Sequence, residues 1–541
     1  MNSLGDAVSG RAVLRGLATA MVLAIGCLGQ SVLIAYPYPQ GVIAHDMDSD
    51  GLRDIGTWVP SIGAARYISS RTSAILLQVQ PSMPFTQFMT VTSMDDVDGD
   101  ARPDVLVQAR VSSTGPVHAQ VVSGANGAIL FTGPAQTPSS YVASLGDING
   151  NGTGDFASGD LLATFNGVLE AGQVDVIDGG TWTTIRVHGG WFAQQHFGEV
   201  RGLGDVDGDG RGDYCVVSLG GFQGYSGGSG QLLFTMPLPS ATFSEFLLPI
   251  GDFNADGFGD LVVNDRDSPP WSNAYRSVTV FGGPSGTLLW SHSYLVSSPG
   301  PVLFTRPTTN SVGDVDGDGY ADVPLVDGTL GATNGIANTI VSGRDQSFLH
   351  EFPNATLGSL GSLIGSPGDW DDDGIPDLLC YQVLGTTPVG LHLISGEAPG
   401  VQSFGSGCPS ATGAPPRIGI SIGPRLGRTM SVNLSLAPST TVAAVLGIGA
   451  SDQVWSGLPL PLDLGPFGLP GCNWYVAPDL SLLLPTAGLN GTMQHASYPV
   501  PVPQNTQLLG LQLNCQWLVL DVSPGWLWAS VSKAVRATVV P

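Results

Sequence analysis

Apolar residues in this chain come in short runs and not in long helical stripes. "DVLVQ" (104–108), "DYCVVS" (213–218), "DLVVN" (260–264), "DVPLV" (322–326) and "DLLCY" (377–381) are β-branched or apolar and follow loops of Asp and Gly. Runs of this length and composition predict strands. A second pattern follows each of them: an apolar strand, a turn of small residues, another apolar strand. It reads "VVSGANGAILF" (121–131), "VIDGGTWTTI" (176–185), "GYSGGSGQLLF" (224–234) and "VFGGPSGTLLW" (280–290). "IVSGRDQSFLHEF" (340–352) and "LISGEAP" (393–399) are related, and "YISSRTSAILL" (67–77) is a degraded copy. The two patterns together predict units of about four strands.

The polar stretches between these strands are the most regular feature of the sequence. An aspartate pattern recurs seven times, with successive starts 50, 51, 58, 47, 62 and 55 residues apart. The copies are "DMDSDGLRD" (Asp46, Asp48, Asp50, Asp54), "DVDGDARPD" (Asp96, Asp98, Asp100, Asp104) and "DINGNGTGD" (Asp147, Asn149, Asn151, Asp155). They continue with "DVDGDGRGD" (Asp205, Asp207, Asp209, Asp213) and "DFNADGFGD" (Asp252, Asn254, Asp256, Asp260). The last two are "DVDGDGYAD" (Asp314, Asp316, Asp318, Asp322) and "DWDDDGIPD" (Asp369, Asp371, Asp373, Asp377).

Oxygen side chains at positions 1, 3 and 5 of a tight loop converge on one point, and glycine at position 6 permits a sharp turn. The carbonyl of position 7 adds an oxygen. That donor set suits Ca2+, a hard cation that takes six to eight oxygens. A helical calcium loop closes with Glu at position 12. Position 12 here is Thr57, Val107, Ser158, Val216, Val263, Leu325 or Cys380, so Asp at position 9 is expected to close the shell. Up to seven Ca2+ ions are expected. Loop three has less charge, and loop two has Ala101 in place of glycine, so these two are expected to bind more weakly. A left-handed backbone at Ala101 would cost about 1–2 kcal/mol.

Four-stranded units of 40–60 residues repeated seven times predict an all-β, seven-bladed β-propeller over residues 37–403. Here the chain resembles the FG-GAP repeat family, the calcium-bearing repeats of the integrin α-subunit propeller. "HFGEVRGLGDVDGDGRGDY" (196–214) carries the Phe197-Gly198 pair upstream of its loop, and the other repeats mostly keep only the loop. The resemblance implies calcium loops on one face of the propeller and ligands on the other. The same stretch contains Arg211-Gly212-Asp213, an integrin-ligand tripeptide. Its aspartate is position 9 of loop four, which commits it to the loop's own cation and argues against adhesive display.

Composition agrees. The 541 residues include 76 Gly and 40 Pro, only 12% are charged, and the formal charge is −25. The loops use 25 of the 44 acidic residues, so bound calcium would neutralise much of that charge. Such acidity excludes nucleic acid and an anionic membrane surface as partners. Residues 404–541 carry about +1, a charge step that marks a domain boundary after the Gly/Pro/Ser-rich joint "FGSGCPSATGAPPR" (404–417). The runs after it, among them "MSVNLSLA" and "LQLNCQWLVLDV", predict a small β-sandwich. This part resembles a Cys-Pro-initiated C-terminal domain found on many bacterial secreted proteins.

At the other end, Arg11 and Arg15 precede an apolar run from Leu17 to Tyr36, so residues 1–36 are expected to be a signal peptide or membrane anchor. Export makes one disulfide among Cys408, Cys472 and Cys515 plausible, without saying which pair. The eight histidines are scattered, and no HExxH, GxSxG or P-loop is present. The expected function is an exported or cell-surface, non-catalytic propeller that binds an extracellular protein or glycan. The alternatives are a polysaccharide lyase or hydrolase on a calcium propeller and a structural surface protein.

Overall fold

The computed structural model describes residues 32–540, with gaps at 39–40, 60, 82–83, 113, 220, 237–245, 267–273, 297–310, 327–335, 345, 347, 354–358, 373, 385–386, 399, 411–414, 422, 487–493 and 524–525. The first unit sets the pattern. Strands Val42–Ile43, Ile55–Val59, Ala64–Ile68 and Ile75–Val79 form one antiparallel sheet in sequence order. Equivalent sheets, called blades 2–7 below, lie within 87–132, 140–189, 199–236, 246–296, 323–353 and 359–394. Blade 6 has three described strands.

Each blade packs on the next through its own apolar core. Tyr67 and Leu77 of blade 1 share a core with Val105 and Val107 of blade 2. Leu106 and Val121 continue to Phe156 and Ile177 of blade 3, and Val174 and Val176 continue to Tyr214 and Val216 of blade 4. Phe222 and Phe234 meet Leu261 and Val263 of blade 5, and Val278 and Val280 meet Val323 and Val341 of blade 6. Ile340 and Leu349 then meet Leu378 and Ile394 of blade 7. A seventh core returns Leu379 and Leu393 of blade 7 to Ile43 and Ile55 of blade 1, so the sheets close into a ring. First strands of blades 2 and 3, 3 and 4, 4 and 5, and 7 and 1 also touch, which puts them on the inside. The chain is an all-β propeller.

Ring closure corrects one expectation. Residues up to 36 were assigned to a leading segment, but Val32–Tyr36 is a strand of blade 7, antiparallel to Thr387–Ile394. "VLIAY" is as apolar as the run before it, and an unpaired outer edge on the last blade would be an aggregation template. Tyr36 is buried, and its hydroxyl donates to the carbonyl of Ser70 in blade 1. The indole N–H of Trp370 donates to that same carbonyl at 3.2 Å. Residues 1–31 lie outside the described residues, and no described helix is long and apolar enough to cross a membrane.

The C-terminal unit is a sandwich of a five-stranded and a three-stranded sheet. Ile420, Val432 and Leu434 of the smaller sheet pack on Leu446, Trp517, Val519 and Val535 of the larger. Its first strand, Val401–Phe404, pairs with Trp526–Thr538, so the unit begins slightly before the predicted joint. Cys408 and Cys472 form the disulfide, and Cys515 is a buried free thiol beside Trp517 in the core.

Candidate metal centres

In blades 1–5 and 7 the aspartate loop joins the first and second strands, and in blade 6 it leads into the first described strand. The small-residue turn joins the third and fourth strands in blades 1–5 and the last two described strands in blade 6, and in blade 7 it follows the third strand, Thr387–Ile394. Antiparallel order therefore puts loop and turn at the same end of the blade, and the aspartate at position 9 ties them together. One oxygen of its carboxylate accepts the backbone N–H of position 2. The donors are Met47 to Asp54 (2.7 Å), Val97 to Asp104 (2.8 Å), Ile148 to Asp155 (3.1 Å) and Val206 to Asp213 (2.8 Å). Phe253 to Asp260 (2.8 Å), Val315 to Asp322 (2.7 Å) and Trp370 to Asp377 (2.7 Å) complete the set.

The other oxygen accepts an N–H from the turn: Ser70, Gly124, Gly179, Gly227, Gly283, Gly343 and Gly396, at 2.7–3.1 Å. All seven aspartates are fully buried. Two charge-assisted hydrogen bonds at about 1.5–3 kcal/mol each roughly offset the several kcal/mol lost in desolvating an ion. They do not exceed it. Burial raises Asp104, Asp155, Asp213 and Asp260 to about 6 and Asp54 and Asp377 to about 7. Neighbouring loop aspartates add to the rise, while the backbone N–H donors oppose it.

The turn glycines are the residues that sequence reasoning missed. A Cβ at Gly124 would lie 1.8 Å from the carbonyl oxygen of Pro103, and at Gly227 1.8 Å from that of Gly212. Gly179, Gly283, Gly343 and Gly396 meet the position-8 carbonyl in the same way, at 1.9–2.3 Å. The "SG" and "GG" dipeptides are thus small because the loop backbone lies against them. Their regular spacing behind each loop was the signal.

The rest of the loop is shaped by its own side chains. The position-1 carboxylate accepts the N–H of position 6 in all seven loops, at 2.7–2.9 Å. Position 6 is left-handed throughout, including Ala101 at φ 68°. Position 4 is left-handed too, and it is occupied by Ser49, Ala255 and Asp372 as well as by glycines. Position 2 points inward: Ile148 and Val206 are fully buried, worth about 1.5–3 kcal/mol each.

The carboxylates converge, with differences between loops. Asp46, Asp48 and Asp50 bring oxygens within 4.8 Å of one another in loop one. Loops two, four, six and seven do so through positions 1, 3 and 9: Asp96, Asp98 and Asp104; Asp205, Asp207 and Asp213; Asp314, Asp316 and Asp322; Asp369, Asp371 and Asp377. Asp54 of loop one and Asp100, Asp209 and Asp318 at position 5 are not in those groups, and Asp373 lies outside the described residues. Asp209 and Asp318 instead accept the position-7 N–H of Arg211 (2.9 Å) and Tyr320 (3.0 Å).

Loops three and five have no such three-acid group. Their asparagine amides act as internal donors, Asn149 to Asp155 (3.5 Å), Asn151 to Asp178 (3.0 Å) and Asn254 to Asp256 (3.0 Å). An amide N–H thus sits where a carboxylate would repel its neighbours.

Three acids within 4.8 Å fit a hard divalent cation. One oxygen of Asp48 in loop one is buried without a hydrogen-bond partner, as expected of a group that faces an ion. Loop aspartates would hold Ca2+ there, and it would supply the charge that lets them sit together. In loop four, Asp213 is buried and also accepts from Asp207 N–H at 3.1 Å. Arg211 donates to the carbonyl of Ile148 in loop three at 3.1 Å. The Arg-Gly-Asp tripeptide is therefore a strut between neighbouring loops.

No family model matches the chain. Mouse integrin alpha-IIb is 27% identical over 246 residues, which are 40% of this chain and 23% of that protein. Among solved structures, BBS1N in complex with ARL6DN aligns with TM-score 0.41 at 10% identity, over 68% of this chain and 97% of that one. Quinohemoprotein alcohol dehydrogenase ADHIIG from Pseudomonas putida HK5 aligns with TM-score 0.36 at 10% identity, over 63% and 65%. In sequence, part of this chain is therefore similar to an integrin α chain.

Two outcomes are expected. Ala101→Gly should stabilise the protein by about 0.5–1 kcal/mol, because it removes a left-handed alanine in loop two; a destabilised variant in denaturant melts would contradict this. Without calcium, the folded protein holds more protons on the position-9 aspartates than the unfolded chain, whose aspartates titrate near 3.9. Stability should therefore fall as pH rises from about 4 to 7. Saturating calcium, which binds the ionised form, should flatten or reverse that slope. A calcium-free melting temperature that rises across the window would refute the burial account.

Proposed function

We propose that this protein is an exported, calcium-held, non-catalytic propeller that recognises an extracellular protein or glycan through the face opposite its calcium loops. One surface carries the proposal. In blade 3 the connections 161–172 and 190–198 emerge at the end of the strands away from loop three. They hydrogen-bond to each other, with Phe197 N–H to Ala171 O at 2.9 Å and Gln194 N–H to Leu169 O at 3.3 Å. Together they present Trp191 (86% exposed), Leu169 (65%) and Phe192 (55%).

Exposed tryptophan with apolar neighbours marks a recognition surface more often than bare solvent contact. The backbone is strained at the same place. Asn166, Glu170, Gln194 and His196 are all left-handed without being glycine. Among the described residues, the others of that kind in the propeller lie in the metal loops (Ser49, Ala101, Ala255, Asp372) or the small turns (Ser73, Trp182, Gln346), and two more, Leu436 and Ser456, are in the C-terminal unit. Strain held at a surface that presents aromatics is a sign of pre-organised binding. Phe197 anchors the second connection in the core between blades 3 and 4. A Cβ at Gly198 would lie 2.8 Å from the backbone of Asp160, so glycine is what lets the connection pass there.

Similarity to integrin alpha-IIb supports recognition over catalysis, and the partner is expected to be extracellular. The test is a glycan array and a pull-down with wild type and with Trp191→Ala/Phe192→Ala. The double variant should lose at least tenfold in binding while its melting temperature and calcium content stay at wild-type values. Binding that persists unchanged in the double variant would remove this face from the account.

A further inference from the structure

Loop six differs from the others in one respect. Asp316 and Asp318, at positions 3 and 5, are 1% and 2% exposed, whereas Asp98 and Asp100 of loop two and Asp209 of loop four are exposed. The cover is the C-terminal domain. Gly419 meets the loop backbone to backbone: a Cβ there would lie 2.0 Å from the carbonyl oxygen of Asp316, and one at Gly317 2.8 Å from the Cα of Gly419. Ser421 Oγ donates to Asp316 Oδ2 at 2.9 Å. Asn433 Nδ2 donates to Asp316 O at 3.2 Å and to Ser421 Oγ at 2.7 Å. Both polar side chains are buried. Arg417 reaches Asp314 at 3.4 Å, and the His495 ring lies against Gly319 and Tyr320.

We propose that loop six is a calcium-dependent latch between the propeller and the C-terminal domain, with the ion held by Asp314, Asp316 and Asp322 shut in by Ser421, Asn433 and Gly419. This rests on calcium occupancy of the loops. The charges decide it. Asp316, Asp318 and Asp322 are buried at this contact and Asp314 is partly buried beside them. The one guanidinium seated on them is Arg417, at 3.4 Å from Asp314, so acidic groups outnumber basic ones and a divalent cation is the complement they call for. Docking without the ion would press clustered acidic groups into a desolvated contact with nothing but Arg417 and protons to offset them, which is unfavourable near neutral pH. Docking with it relieves that repulsion. By linkage, whatever tightens docking tightens calcium at this loop, and the reverse holds equally. The contact also includes apolar neighbours, Val315, Ile375, Val401, Ile418 and Ile420, around a void of about 10 Å³. The ion in loop six cannot leave by the open path available to loops two and four.

The test uses the full chain. Calcium release into excess chelator is followed by stopped flow, and the radius of gyration by small-angle scattering, for wild type, Asp316→Ala and Asp207→Ala. The last two remove position 3 from the covered loop six and from loop four. Wild type should show one slow phase of calcium release and expand when the ion is removed. Asp316→Ala should lose the slow phase and be expanded even in calcium. Asp207→Ala should keep both the slow phase and the compact form. Ser421→Ala leaves every loop ligand in place and should speed the slow phase about tenfold, so the proposal stays testable if Asp316→Ala does not fold. Uniform release rates, or an Asp316→Ala protein as compact as wild type, would overturn the latch alone. Wild-type protein that binds no calcium would overturn the latch together with the metal assignment.

Discussion

A buried aspartate that accepts one N–H from its own loop and one from the neighbouring turn is the interaction on which the rest of the propeller depends. It occurs seven times, from Asp54 to Asp377, with donors within 3.1 Å on both sides. Each copy fixes the aspartate loop against the turn that follows the blade's third strand or, in blade 6, lies between its last two described strands, at one end of the blade. The position-2 residue whose N–H it accepts, such as Ile148 or Val206, is thereby aimed into the core between blades. Loop geometry and blade packing are thus set by the same carboxylate.

The cost of this arrangement is electrostatic. A carboxylate used as a structural acceptor also sits beside those of positions 1 and 3, and burial lifts its proton affinity. Protons or a divalent cation can relieve the repulsion, and near neutral pH the cation is the effective one. Asparagine in loops three and five offers a third, weaker relief by donating where an aspartate would repel. The high acidity of the chain is, on this view, a property of its loops. The proposed recognition surface is on the opposite face, where Trp191 and Phe192 stand on strained connections.

The propeller was legible because its signal is local and repeated. Oxygen side chains at positions 1, 3, 5 and 9 and the apolar strands after them are visible in any one repeat, and seven repeats remove ambiguity. What the sequence hid were contacts made across distance. Gly124 and its equivalents looked like turn residues, and only the fold shows the carbonyl that forbids a side chain. Val32–Tyr36 looked like the tail of a leader because apolarity is common to leaders and strands, and its partner is some 350 residues away. The pairing of Cys408 with Cys472, the Trp191 surface and the seat of Gly419 on loop six depend on how distant segments come together, which no local pattern records.

The central claim is that divalent cations hold the loops, and through the position-9 aspartates the blades, in place. Thermal melting of the protein in millimolar calcium and in excess EGTA at neutral pH tests it most directly. Binding at several sites stabilises the folded state by mass action, so EGTA is predicted to lower the melting temperature by roughly 10 °C or more. Identical melting in the two solutions would contradict the account.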